Sequence, residues 1–419
     1  VDSCWMCGPG LLLARTLPFA TLAVRRLSFI AATLAGRSQM SASAAGLPET
    51  PILPIKFSDT CQTGVPDLDA DRVKFLASKG VTIEPLDPVG AKVTGIDLRK
   101  QPDEDVLEAL QQEMAKRGFI VFKNQGEGGE HGFLTGDEQV RASEYWGGRE
   151  MHSTHGVHPK APNRHIFRLS NDRNVGILGV GPQWHNDGSF ERGVFSHVGY
   201  GIVRVPEKGG ATLFAHQGAA FDALPPELQE RWSRYVSVNS NSGVLHPMVH
   251  EHPISGRKSI YLHLGMTGGV LEVTGDEGSD KKQLRLLEED EMRELFNQYN
   301  DVLNAGLPSG SPHKTAPERQ ELPAGVAPYA TSYAYEPGDM VFIDNLAVAH
   351  RAAPEAHESS SKQGLRILHR TTVKAMKNFD PPYGLPPAVN VFGPNPLGQG
   401  VWIGSGVGFR WDDGIKMQN

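Results

Sequence analysis

Cysteine is scarce in this chain: there are three, with Cys4 and Cys7 near the start and Cys61 alone in the remainder. A disulfide framework is therefore excluded for the body of the protein, which suits a reducing compartment. The Cys4-x-x-Cys7 pair has no second pair nearby and is not a zinc site. An excess of positive charge is also missing, because 41 Lys and Arg face 48 Asp and Glu for a net charge of −7, so electrostatics gives no reason to expect nucleic acid as a partner. Long apolar runs are absent as well, and with them any membrane span. There is no internal repeat, and no alternation of strand and helix of the kind a nucleotide-binding sheet requires. With 39% hydrophobic and 21% charged residues over 419 positions, the composition is that of a soluble globular protein acting on small molecules. Oligomeric state stays open, a homo-oligomer included.

One more absence is local. Between Asp2 and Glu49 there is no acidic residue, while Arg15, Arg25, Arg26 and Arg37 are spread among Leu, Ala, Ser and Thr. Residues 1–48 thus have the composition of a transit peptide, which would place the protein in a mitochondrion or plastid. The competing reading is upstream sequence with Met40 as the start, and a cytoplasmic protein.

Beyond this segment the pattern is mainly β with peripheral helices. "VGAKVTGIDL" alternates like a strand running into a turn. "DEDVLEALQQEMAKRG" predicts a helix with Leu107, Leu110 and Met114 on one stripe and Gly118 as its cap, followed by "FIVF" as a buried strand. Short β-like runs such as "HVGYGIVRV", "ATLFA" and "SIYLHL" come next, separated by Gly, Pro and Asn turns. Helices are expected at "AAFDALPPELQERWSRY" and at "DEMRELFNQYNDVL", where Met292, Leu295, Phe296, Tyr299 and Leu303 share a face. The Gly/Pro-rich "AGLPSGSPHKTAPERQELPAG" reads as a surface insertion or lid. Many short strands with few helices favour a double-sheet sandwich or jelly roll. The division expected is a catalytic domain over 65–375, an insertion at about 272–326 and a Gly/Pro-rich extension over 376–419.

The chemistry is concentrated in "QWHNDGSF". On an extended segment His185 and Asp187 point to the same side, so one metal ion could touch both, with Asn186 serving a supporting bond or a turn. Ferrous iron in oxygenases takes two imidazoles and one carboxylate on one face, leaving positions free. His350, just beyond the strand "DMVFIDN", is the candidate for the second imidazole, whereas His357 lies in a polar loop. In "LRILHR", Arg366 and Arg370 are four apart and face one way on a strand, where a guanidinium could grip a carboxylate through two bonds. Trp184 belongs to the core. A zinc hydrolase could use the same two His and one Asp.

Taken together, "GAKVTGIDL", "WHNDGSF", "GGATLFA", "HPMVHEHPISGRKSIYLHLG", "EPGDMVFIDNLAVAHRA" and "RILHR" run in the order of a known family. From about Val89 to Thr372 the chain resembles the taurine and 2,4-dichlorophenoxyacetate (TauD/TfdA) dioxygenases. The resemblance implies a clavaminate synthase-like double-stranded β-helix, with Fe(2+) as cofactor and 2-oxoglutarate and O2 as co-substrates. It implies hydroxylation of a C–H bond in a small, anionic organic substrate, with release of succinate and CO2. His185, Asp187 and His350 would be the iron ligands, Thr212 and Arg366 would bind the distal carboxylate of 2-oxoglutarate, and Arg370 would lie near the substrate. An acid at position 187 fits hydroxylation, where a halogenase would carry Ala or Gly. His152 matches a substrate-binding position and His155 stands where a tyrosine is expected, so both are substrate-facing candidates. Gly181 replaces an asparagine of the taurine enzymes, which argues against taurine itself. Desaturation or epimerisation at the same iron, or a non-catalytic binding protein on the same fold, are the alternatives.

Overall fold

The computed structural model describes residues 55–374, apart from 56, 59–63, 124, 126–133, 147–156, 192–193, 241, 275–282 and 315–320. The predicted transit segment, His152, His155 and the C-terminal extension lie outside the described residues.

Strands dominate, as the short apolar runs imply. The largest sheet has seven, in the spatial order Thr82–Pro85, Ala91–Thr94, Phe119–Phe122, Met340–Asp344, Phe195–Arg204, Ile367–Lys374 and Phe167–Ser170. All its pairings are antiparallel except that of Ala91–Thr94 with Phe119–Phe122. That parallel step requires a crossover, and helix Glu104–Arg117 supplies it. Acidic residues open the helix, basic ones close it, and Gly118 at φ 88° ends it with its N–H on the Met114 carbonyl. The stripe Leu107, Leu110 and Met114 is buried, and "FIVF" is buried along its whole length.

A three-stranded sheet of Ala330–Tyr333, Thr212–His216 and Val348–Ala352 carries the other chemistry-bearing residues. One of its sides is covered by helix Glu289–Ala305, whose Met292, Leu295, Phe296, Tyr299 and Leu303 join a core containing Trp184, Trp232 and Ala349. Each such side chain contributes about 1.5–3 kcal/mol on burial, as an upper bound. Trp184 is fully buried, and its indole N–H donates to Asn304 Oδ1 of that helix at 3.0 Å. Two further sheets, of four and two strands, complete the β structure of the described residues.

Two expectations are corrected. The segment "AAFDALPPELQERWSRY" forms two helices, Gln217–Asp222 and Pro226–Ser233, because Pro226 forces Pro225 into extended backbone and itself takes a first-turn position. In "SIYLHL" only Ser259 and Ile260 stay in a strand, Lys258–Ile260. The chain then crosses to the segment that carries His185 and Asp187, where Leu264 N donates to the Trp184 carbonyl at 3.3 Å, and turns at His263, whose carbonyl accepts from Met266 and Thr267.

Candidate metal centre

His185 and His350 come from distant parts of the chain and meet backbone to backbone. His185 N donates to the His350 carbonyl at 3.1 Å and His350 N returns the bond at 3.0 Å, which forms an isolated antiparallel bridge. Their rings are 4.3 Å apart between centroids. Asp187 follows two residues after His185 and stands on the same side, as alternation requires, with Oδ1 3.8 Å from His185 Nε2 and Oδ2 3.8 Å from His350 Nε2. One donor atom from each residue lies within 4.8 Å of the others, and all three residues are buried.

The surroundings fix these side chains. His185 Nδ1 is 2.7 Å from the Gln183 carbonyl, so its proton sits there and the Nε2 lone pair is turned to the cluster. Asn345 clamps the backbone of Asp187 from both ends, accepting from its N–H and donating to its carbonyl, both at 2.9 Å. Asn186 points the opposite way, into a fully buried network with Gln217 and the carbonyls of Asn345 and Val348. Beside the cluster, Gly181 has φ +72°, and a Cβ there would stand 2.9 Å from His185 Cε1.

Burial disfavours charge on every member. The carboxyl of Asp187 is pushed up by burial, but Arg370, His350 and His185 outweigh this and hold it at about 2. Burial, with His185 next in effect, holds His350 at about 3, and burial likewise lowers His185. The set at neutral pH is one carboxylate and two neutral imidazoles. Asp187 Oδ2 and both ring nitrogens of His350 are buried without a hydrogen-bond partner among the described residues. Unsatisfied polar atoms of this kind cost about 1–3 kcal/mol each, and a divalent cation bound between them would satisfy all but His350 Nδ1. The donor types, their common face and their orphaned atoms therefore fit a facial 2-His-1-carboxylate metal site.

Arg370 is closer to the centre than its sequence position suggests. Its Nη1 donates to Asp187 Oδ1 at 2.7 Å, and its guanidinium lies 4.6 Å from the Phe167 ring centroid. A third imidazole is also present. His263 has its ring 4.9 Å from that of His185 and its Nδ1 buried without a partner. Sequence reasoning missed His263 because a histidine inside "SIYLHL" looks like core; the signal available was a polar ring in an otherwise apolar run. It also missed Asn345, whose bonds to the backbone of Asp187 are not visible from spacing.

Comparison with known proteins decides the family. The model described as "Taurine catabolism dioxygenase TauD, TfdA family" matches residues 82–372, more than half of the chain. The chain belongs to this family. An alpha-ketoglutarate-dependent sulfonate dioxygenase of Saccharomyces cerevisiae is 27% identical over 214 residues, which are 45% of this chain and 50% of that protein. Pentalenolactone F synthase of Streptomyces avermitilis is 24% identical over 345 residues, covering 72% of this chain and 95% of that one. The chain thus spans half the length of the fungal sulfonate dioxygenases it matches. A crystal structure of a taurine dioxygenase from Burkholderia xenovorans superposes with TM-score 0.51 at 19% identity, covering 70% of this chain and 91% of that one, and shows the common fold.

Within this TauD/TfdA-family chain, the two positions tied by resemblance to a distal carboxylate flank one another. Thr212 is buried at the start of its strand, one residue beyond the Gly209-Gly210 pair. Arg366 precedes strand Ile367–Lys374, and its Nε donates to the Gly210 carbonyl at 3.2 Å while its backbone N–H donates to Asn171 Oδ1 at 2.9 Å. Burial lowers the Arg366 pKa, opposed by the nearby phenols of Tyr335 and Tyr200.

Proposed function

We propose that this protein is an Fe(II)- and 2-oxoglutarate-dependent dioxygenase that hydroxylates a C–H bond of a small, anionic organic molecule. Its strands are read as a double-stranded β-helix, with residues 65–375 as the catalytic domain. The observation that carries the reading is the buried triad of His185, Asp187 and His350 with its orphaned donor atoms. Relatives named for sulfonates and for phenoxypropionate support the substrate class.

Fe(II), when bound with 2-oxoglutarate, supplies the chemistry that couples loss of CO2 to oxidation of the substrate by O2. The chain supplies the rest. Asp187 stays ionised at any physiological pH and brings the one hard anionic donor, while His185 and His350 bring neutral nitrogens. Asn345 and the Gln183 carbonyl hold these donors in place, so little reorganisation is needed on binding. Arg366 and Thr212 orient the co-substrate by its far carboxylate. Arg370, beside the centre, sets a positive field for an anionic substrate. Burial of all these groups keeps bulk water from the reacting atoms.

The test is anaerobic reconstitution with Fe(II) and 2-oxoglutarate, then exposure to O2 with sulfonates, aryloxyacetates, sulfate esters and amino acids. Succinate formed only with O2, coupled to a product heavier by one oxygen and abolished by Asp187→Ala, is the expected result. A product lighter by two hydrogens would replace hydroxylation by desaturation, and an unchanged mass would replace it by epimerisation. No succinate with any member of the panel would favour the non-catalytic reading.

A further inference from the structure

We propose that Tyr335 donates a third hydrogen bond, beside Arg366 and Thr212, to the distal carboxylate of the 2-oxo acid. The inference rests on the co-substrate reading above and adds a residue that neither spacing nor resemblance indicated.

Strand register places the residue. Ala330–Tyr333 pairs antiparallel with Thr212–His216, and Tyr333 stands opposite Thr212. Two residues on, the chain has passed the end of that strand and Tyr335 comes level with the glycine pair 209–210. Tyr335, Gly210 and Arg366 accordingly line one cavity of about 260 Å³, with Ile202 and Leu368 as apolar walls.

The donors are already oriented. Arg366 is tethered through Nε to Gly210, and its Nη atoms have no hydrogen-bond partner among the described residues. Gly210 cannot carry a side chain without collision: a Cβ would fall 2.6 Å from Pro206 and 3.4 Å from Arg366 Cδ, and φ is +82°. The Tyr335 hydroxyl is buried beside the Thr212 side chain but makes no well-formed hydrogen bond, and its ring packs edge-on to Tyr333 with centroids 5.5 Å apart. Burial raises the phenol's pKa, with Thr212 and Arg366 opposing, so it stays protonated and able to donate. A buried hydroxyl with only another hydroxyl beside it is poorly satisfied, and a carboxylate held by Arg366 and Thr212 is an acceptor that both could reach.

The chemical consequence is selectivity for a dicarboxylic over a monocarboxylic 2-oxo acid. The experiment compares 2-oxoglutarate with 2-oxopentanoate, which has the same oxo-acid head and chain length but ends in a methyl group. Calorimetric titration of the Mn(II)-loaded full chain reads binding without turnover. The wild type should bind 2-oxoglutarate more tightly than 2-oxopentanoate. Tyr335→Phe, which keeps the ring and its packing, should weaken 2-oxoglutarate roughly tenfold to a hundredfold. It should leave 2-oxopentanoate and Mn(II) affinities within about twofold. Unchanged 2-oxoglutarate affinity in Tyr335→Phe, or equal loss for both acids, overturns the proposal. Should the wild type itself bind the two acids alike, or neither, the co-substrate reading fails, and that outcome is recognisable because it does not involve the variant. Arg366→Met serves as the reference for losing a distal contact.

Discussion

Replacing Arg370 by methionine perturbs the centre at its strongest internal contact. Arg370 Nη1 and Asp187 Oδ1 are 2.7 Å apart, and the two side chains are only 5% and 8% exposed. Removing one partner of a buried pair leaves the other charge uncompensated, at a cost of about 3–5 kcal/mol. Burial already pushes the Asp187 carboxyl up, and Arg370 is the largest charge opposing it, so the variant should also take up a proton on Asp187 more readily. Methionine can still lie on the Phe167 ring, which limits the packing loss. A divalent cation returns the missing charge; at a hundred times its Kd it stabilises by about 2.7 kcal/mol. The assay is urea unfolding at neutral pH, once with EDTA and once with Mn(II). With EDTA the variant should be about 3–5 kcal/mol less stable than the wild type. Mn(II) should restore at least as much as it adds to the wild type, because the guanidinium no longer competes for Asp187. Equal stability of the two proteins in EDTA, or no effect of Mn(II) on either, would refute the reasoning.

Acid should destabilise the protein from about pH 6.5 downward, through histidines outside the metal centre. Burial lowers His197 and His246 to about 4 and His216 and His250 to about 3, against 6.5 in the unfolded chain. The unfolded state therefore binds protons that the folded state refuses, so this stability is complete above pH 6.5 and declines as pH falls. Between pH 6.5 and 5.5 each of the four contributes about 1 kcal/mol of loss, about 4 in total. Guanidinium unfolding at the two pH values measures it, and a loss below about 1 kcal/mol would contradict the burial argument. Separately, Gly181→Ala should weaken Mn(II) binding by roughly tenfold, since the added Cβ presses on His185 Cε1. Gly179→Ala, with φ +68° but open space around it, is the control that carries only backbone strain and should leave Mn(II) affinity unchanged.

What could be foreseen and what could not divides along the range of the interactions. The helix Glu104–Arg117 was legible because its stripe, its charges and Gly118 are all local signals. His185 and Asp187 were legible for the same reason, two residues apart on one extended segment. His350 came from its position after an apolar strand, which the backbone bridge to His185 now accounts for. The break at Pro225 is written in the sequence as a Pro-Pro pair, against which the apolar periodicity on either side suggests continuity. The departure of Tyr261–Leu264 from its strand was not written there at all. It depends on a bond from Leu264 to Trp184, a contact between segments that no local pattern encodes. Arg370 shows the same limit: residue type suggested what it could bind, but only tertiary contacts revealed Asp187 beside it, and Tyr335 beside Arg366 had no signal in the sequence.

The two-rung backbone bridge between His185 and His350 has a consequence for maturation. Its halves lie far apart in the chain, so the loop they close must be paid for entropically before any chelating geometry exists. A polypeptide in which that bridge has not formed would not present the full donor set, so binding of a divalent cation to this site is expected to follow folding. The bridge, and not the length of chain between its halves, sets the spacing of the two imidazoles.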